Sequence, residues 1–282
     1  MQMYPTFLDS MKHILHRYDQ LGIQCWHGNP GQMRQIHSHM EIEFNLIEKG
    51  TITYLFGSTE HSFQQGELTV FSGLEAHQLT KASPGCVISW LTIPASSFSS
   101  WQLPEALTDR ILSGEIITNT DPIESERDPG RFQRWRQDLA HQDPRYLVAT
   151  LHEVQARLTR LALSQSSQQA QRPSKPAKTW SNPASTMTAY MLKHLTDDTL
   201  NMQRIAASVG LNPSYASTLY SREMGHTPIH FLTHHRLQYA QFLLTTTERT
   251  VLDIAHESGF GSSSRFYASF KKAFGKTPAQ LR

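Results

Sequence analysis

The 282-residue sequence predicts an α+β protein. Its N-terminal part reads as a small antiparallel β-barrel followed by a helical hairpin, and its C-terminal part as an all-α domain with two helix-turn-helix units. Three observations carry this. Between residues 20 and 95, β-rich runs are punctuated by glycines at 31, 50, 57, 66 and 73. Between Leu147 and Leu161, apolar residues recur at helical steps. In the last hundred residues one segment occurs twice.

The strands come first. Glu41 to Leu46 alternates charged and apolar positions, and Thr51 to Phe56 (TITYLF) is rich in β-branched and aromatic residues. Short runs broken by glycine suggest a small antiparallel barrel. His37 and His39 lie two apart, so on an extended chain they face the same side, and Glu43 has the same parity. With His77 they make three imidazoles and one carboxylate, a donor set that suits a first-row transition metal. Trp26, Trp90 and Phe44 read either as core or as the wall of a pocket for a sugar or aromatic ligand.

The helices follow. Leu147, Leu151, Val154, Leu158 and Leu161 recur at steps of four, three, four and three, which is a heptad seam. Pro144 separates this helix from an earlier one around Phe132 to Leu139. Two readings stand for the seam: a helix packed on its own domain, or a subunit interface in a homodimer. From Ser164 to Ser185 the chain is rich in Ser, Gln, Pro and Lys and lacks apolar periodicity, which reads as a flexible linker. The expected divisions are therefore 1–163, a linker at 164–183, and 184–282.

The repeat can be checked residue by residue. Ile205-Ala206 matches Ile254-Ala255 and Gly210 matches Gly259; Gly225 matches Gly275 and Thr227-Pro228 matches Thr277-Pro278. Each copy reads as helix, tight turn, helix. Asn201 and Thr250 are good N-caps. Asn212 followed by Pro213 starts the second helix of the first copy, and Ser262 or Ser263 starts that of the second. Small Ala206 and Ala255 let the second helix cross close over the first. This is the plan in which the second helix enters the major groove of DNA. Between the copies, Phe231, Leu232, Leu237, Ala240, Leu243 and Leu244 give a connecting helix from Ile229 to about Thr245 its apolar stripe.

The run SSSRFYASFKKAFGKTP resembles the C-terminal signature of the AraC/XylS family of bacterial transcription regulators. That resemblance covers about the last hundred residues. It implies a seven-helix domain with two helix-turn-helix units, a double-stranded DNA partner, and a regulator rather than an enzyme. Upstream, Gly31-x5-His37-x-His39-x3-Glu43-x6-Gly50 is similar to the first half of the cupin barrel motif. The second half departs from it: Ser72 stands where the pattern has proline, Leu74 where it has glycine, and Lys81 where it has asparagine. In metal cupins His37, His39, Glu43 and His77 would converge on one ion. In AraC-type regulators the same cupin-like barrel holds a small organic effector. The resemblance thus makes His37, His39, Glu43, His77, Trp26 and Trp90 the expected effector-binding residues, with no cofactor and no catalytic residue. A metal-sensing regulator using the four ligand-type residues is the alternative, and a cupin metalloenzyme the rival after that. WHGNPGQMRQIHSHMEIEFNLIEKG and GELTVFSGLEAHQLT are similar to sugar-responsive members of the family. They imply an α-galactoside or another sugar as effector, and activation of a catabolic operon through RNA polymerase.

On the reading heads, the N-terminal turn and one face of each second helix are expected to meet DNA. Those positions are Ser214, Tyr215, Ser217, Thr218 and Arg222 in the first copy, and Ser263, Ser264, Arg265 and Ala268 in the second. Leu219, Phe266 and Phe270 are expected to face inward. Arg265 is the expected base reader, because arginine can give guanine two parallel hydrogen bonds. Lys271, Lys272 and Lys276 are expected on phosphates or in solvent.

Charge distribution agrees with this division. The chain carries a formal +2, split as −5 over residues 1–163, +3 over 164–183 and +4 over 184–282. Positive charge therefore sits with the reading heads. No apolar leader is apparent at the N-terminus, and no run approaches the ~20 apolar residues that span a bilayer. Two cysteines, Cys25 and Cys86, suit a reducing cytoplasm.

Overall fold

The structure, a computed structural model, describes residues 23–281 apart from 32, 34, 102, 120 and 170–181. The N-terminal stretch read for a leader and most of the expected linker lie outside these residues. The described chain forms two compact units. One gathers the residues through Pro94 with those from Leu103 to Gln169; the other gathers Ala95 to Trp101 with those from Asn182 onward.

The first unit is built on strands β1 (Gln24–Gly28), β2 (Glu41–Lys49), β3 (Thr51–Phe56), β4 (Thr59–Gln64), β5 (Leu68–Ser72), β6 (His77–Ala82), β7 (Val87–Pro94) and β8 (Ile117–Thr118). All ladders are antiparallel and fall into two sheets, ordered β1-β7-β2-β5-β8 and β4-β3-β6. Ile47, Phe71 and Ile88 of the first sheet share one buried cluster with Ile52, Tyr54, Phe56, Phe63 and Leu79 of the second, so the sheets face each other. The closed barrel expected from the sequence is not what the ladders give: among the described residues, only the isolated bridge between His37 and His77 lies outside the two sheets.

β3, expected only to be β-rich, alternates, with Ile52, Tyr54 and Phe56 buried and Thr51 exposed, while the alternation expected of Glu41 to Leu46 would bury only one face of β2. β2 departs from this. Its six residues from Ile42 to Ile47 are all buried, Glu43 and Asn45 included. The reason is position: β2 is the central strand of its sheet, covered on one face by the second sheet and on the other by a helix. Alternation survives only where one face meets water.

Helix α2 (Glu105–Leu112) packs on β5. Helix α3 (Pro122–Leu139), capped by Asp121, packs on β1, β2 and β7. Helix α4 (Pro144–Gln169) packs on α3. All five seam residues, Leu147, Leu151, Val154, Leu158 and Leu161, are buried inside this unit. The seam is thus spent within the chain, which removes the basis for reading it as a subunit interface. α4 also runs through Gln169, so the helix continues into the stretch read as linker. Arg157, buried with Asp128, holds both of its carboxylate oxygens at 2.7 Å and ties α4 to α3. Cys25 and Cys86 are free and buried.

The second unit comprises α1 (Ala95–Ser100) and the seven helices α5 (Pro183–Lys193), α6 (Met202–Ala207), α7 (Pro213–Met224), α8 (Pro228–Thr246), α9 (Val251–Glu257), α10 (Ser263–Phe274) and α11 (Pro278–Leu281). The caps are the expected residues. Asn201, Asn212 and Thr250 accept from the backbone of Arg204, Ser214 and Asp253, and Ser262 rather than Ser263 caps α10. Ile205, Ala206, Ala216, Leu219 and Tyr220 form the interior of the first copy. Ile254, Ala255, Phe260, Phe266 and Phe270 form that of the second. α8 contacts α7, α9 and α10, so one unbroken helix braces both copies. At 19 residues it is about 28 Å long.

Candidate nucleic-acid interface and histidine cluster

The two second helices, α7 and α10, present equivalent faces. Ser214, Tyr215, Thr218 and Arg222 are exposed on α7, and Ser217 is half-buried. Ser264, Arg265, Ala268, Lys271 and Lys272 are exposed on α10, and Ser263 is half-buried. At an offset of 50, Tyr215 corresponds to Arg265, Thr218 to Ala268 and Arg222 to Lys272. Both faces therefore present positions i, i+3 or i+4, and i+7 of one helical stripe. Leu219, Phe266 and Phe270 point inward as expected, with Phe266 in edge contact with Phe260. The N-terminus of each helix, where orphan N–H groups favour phosphate oxygens, lies at the same end as these serines.

Not every candidate side chain is equally free. The hydroxyl of Thr218 donates to the carbonyl of Ser214 at 3.0 Å, so toward DNA it is left as an acceptor. Arg222 lies 3.5 Å from Glu223. Tyr267 is 42% exposed, but it lies two residues from Arg265 and so off this stripe, with its ring against Phe266.

In the first unit, the structure brings the four ligand-type side chains together. Their nearest ligand atoms, one each from His37, His39, Glu43 and His77, all lie within 4.8 Å of one another. His39 Nε2 is 2.6 Å from Glu43 Oε1, and its Nδ1 is 2.9 Å from Glu41. Asn45 donates to the other oxygen of Glu43 at 3.1 Å, and the Tyr54 hydroxyl reaches Asn45 at 3.4 Å. His77 is walled by the rings of Phe56, Phe71 and Tyr54. Gly73 makes room for His39, since a Cβ there would collide with the imidazole. Glu41, Asn45 and Gly73 were not singled out from sequence; Glu41 and Asn45 share the parity of Glu43, which was the clue.

Electrostatics separates these groups. Burial opposes charge on His39, but its hydrogen bonds with Glu41 and Glu43 outweigh that and push it up to about 10. Burial, with His77 and His39 beside it, brings His37 down to about 4. Glu43 is fully buried, yet the hydrogen bond from His39 and the nearness of His77 hold its carboxyl well below the usual range.

Trp26 and Trp90 are direct cross-strand partners, and Asn45 pairs with Trp90 on the other side. Glu43 lies two residues along the same face, so both tryptophans share the inner face with the cluster. Phe44 does not. It has the opposite parity, in one cross-strand row with Cys25, which reaches the Phe132 carbonyl on α3. It is core beneath the helix and no part of a pocket wall.

Comparison with known proteins agrees with the geometry of the second unit. A helix-turn-helix domain family matches residues 205–282. The chain is 28% identical to the melibiose operon regulatory protein of Escherichia coli K12 over 260 residues, which is 90% of this chain and 85% of that one. It is 33% identical over 93 residues to an uncharacterized HTH-type transcriptional regulator of Staphylococcus aureus, covering 33% of this chain and 12% of that one. Among solved structures, the C-terminal domain of AraT, a response regulator from Geobacillus stearothermophilus, is 32% identical, covering 36% of this chain and 84% of that one with a TM-score of 0.35. The Escherichia coli and Staphylococcus aureus relatives are named as regulators rather than enzymes. No helix among the described residues is long and apolar enough to cross a membrane. The paired reading heads and the caps that define them fall within a helix-turn-helix domain, and a likeness that runs through most of the chain makes it similar to the melibiose operon regulator.

Proposed function

We propose that the protein is an effector-responsive activator that switches on a carbohydrate-catabolic operon in the cytoplasm. The observation that carries this reading is the pair of equivalent exposed faces on α7 and α10, mounted on the single brace α8. Two recognition helices about one DNA turn apart, roughly 34 Å, occupy successive major grooves on one side of a duplex. Ser214, Tyr215, Ser217, Thr218 and Arg222 serve one half-site; Ser263, Ser264, Arg265 and Ala268 serve the other. Lys271 and Lys272 hold phosphates.

A sugar effector is supported by the likeness to the melibiose operon regulator, which extends over 90% of this chain and so into the first unit. It is supported too by the inner face that carries Trp26 and Trp90 beside polar Asn45 and Glu43. Amphipathic indole rings flanked by hydrogen-bonding groups suit a sugar's apolar face and its hydroxyls. The ligand acts by binding one arrangement of the two units more tightly than another, since equal affinity would shift nothing. RNA polymerase is the partner that reads the result.

The test has two arms. Nuclease footprinting on the DNA upstream of the chain's own gene and of neighbouring sugar-utilisation genes should show two protected patches one helical turn apart. A panel of galactosides and other sugars, screened by thermal shift on the full-length protein, should yield one that raises stability by mass action, ~2.7 kcal/mol at a hundredfold excess over its Kd. Absence of any protected duplex refutes DNA regulation; protection with no stabilising sugar refutes the effector class alone.

A further inference from the structure

The histidine cluster has one atom that the hydrogen bonds of the chain do not explain. His77 is fully buried, and its Nδ1 lies 2.8 Å from the carbonyl oxygen of Glu75. A carbonyl only accepts, so that nitrogen carries the hydrogen. The other nitrogen, Nε2, has no hydrogen-bond partner and points at Glu43 Oε1 from 3.5 Å. Buried polar atoms are almost always partnered. A lone-pair nitrogen aimed at a carboxylate oxygen is an arrangement that a cation between them resolves.

The surroundings repeat the theme. His39 is anchored through Nδ1 by the Glu41 carboxylate and turns Nε2 to the same centre. Glu43 has its second oxygen held by Asn45 and offers the first. An outer carbonyl or carboxylate fixing one ring nitrogen while the other faces a common point is how metal-bound histidines are oriented. An ion held about 2.1 Å from each donor keeps its ligands no more than about 4.2 Å apart, so the observed spread of 4.8 Å asks for a contraction of roughly half an ångström.

We propose that the first unit binds one divalent first-row transition-metal ion through His37, His39, Glu43 and His77. Three imidazoles with one carboxylate exclude the hard, oxygen-seeking cations as the preferred occupant. The ligands come from three places: the segment before β2, β2 itself, and β6 of the opposite sheet. The ion therefore fastens that segment across both sheets. Without it, the segment rests on a few hydrogen bonds, from His37 to His77, from Met33 to Leu79 and from His39 to Gly73.

Untagged full-length protein, stripped with chelator and dialysed against separate solutions of Mn, Fe, Co, Ni, Cu and Zn ions, is analysed by elemental mass spectrometry. One of these should remain at one ion per chain, and Co²⁺ should show the visible bands of nitrogen ligation. His77→Gln and Glu43→Gln should lose the ion. Glu41→Gln, which leaves every ligand in place, should weaken it about 10- to 100-fold. Because His77 and Glu43 are buried, His37→Ala is the companion variant, with its fold checked by circular dichroism and its footprint retained. Substoichiometric retention of every metal by wild type overturns the proposal. So does a folded His37→Ala protein that keeps as much ion as wild type, since the chain has 15 histidines and the ion would then sit elsewhere. The DNA footprint of wild type separates this outcome from failure of the regulatory reading, which does not depend on the ion.

Discussion

The two turn glycines, Gly210 and Gly259, offer a comparison inside one molecule. They occupy equivalent places in the repeat, with φ of +66° and +82°. Alanine in this left-handed region costs ~1–2 kcal/mol wherever it stands. The space beyond the backbone differs, however. A Cβ at Gly210 meets nothing within 4 Å. A Cβ at Gly259 would lie 2.7 Å from the Leu195 carbonyl oxygen and 2.8 Å from Arg236 Nε. Those two atoms are themselves hydrogen-bonded at 2.8 Å, and Arg236 also donates to the Asp197 carbonyl at 2.6 Å. The intruding methyl must push the guanidinium off at least one carbonyl, and hydrogen bonds to charged groups are worth ~1.5–3 kcal/mol each. We therefore predict that Gly210→Ala costs about 1–2 kcal/mol and Gly259→Ala about 3–5 kcal/mol. Hydrogen-exchange mass spectrometry on the full-length protein reads both, because backbone protection in α6–α7 and α9–α10 reports the local stability of each copy. A gap of 2 kcal/mol is roughly a thirtyfold difference in lost protection. Losses equal within twofold would mean that the Arg236 clamp contributes nothing, and the steric argument would fail.

Three further outcomes are expected. Arg265→Ala should lose ~1–3 kcal/mol of discrimination at one base pair of the operator, read by binding to a set of single-site operator variants; a uniform loss across all variants would place Arg265 on a phosphate. Replacing Lys271 and Lys272 together by alanine should weaken binding to every sequence and flatten the log–log salt slope by ~0.9 for each phosphate no longer neutralised; an unchanged slope places them in solvent. His235 is buried against Phe231, and burial, with His234 and His226 nearby, brings it down to about 3. The unfolded chain takes up a proton near the ordinary histidine value of 6.5 while the folded one does not, so stability falls as pH drops from about 6.5 toward 3. His235→Phe should remove up to about 1.4 kcal/mol per pH unit of that slope in urea melts, and an unaltered slope would assign it to other groups.

The second unit was legible because its signals are local. Caps at Asn201, Asn212 and Thr250, and an inward stripe through Phe266 and Phe270, are written in neighbouring residues and survive folding intact. The first unit was legible in part. Parity put His37, His39 and Glu43 on one side, and the structure brings them to His77 across 34 residues of chain from Glu43. Parity within one strand did not say which strand would be central. β2 therefore looked half-exposed, and Phe44, open between core and pocket wall in sequence, turns out to face the helix as core. The seam from Leu147 to Leu161 met the same limit: a heptad names a buried stripe, but not whether the chain or a second copy buries it. Ser164–Gln169 reads as linker by composition, and α4 extends through it because a helix already anchored on α3 propagates at little cost.

α8 is shared property of the two copies, and that constrains the target as much as the protein. If both heads are to engage, the phase between half-sites is set by a rod that cannot be lengthened a little. One inserted base pair swings the far half-site by about 34–36° around the duplex, and five carry it to the opposite side. Binding sites for this chain should therefore drift in letter before they drift in length. A lineage that wants a new spacing must rebuild the brace instead of retuning either tip.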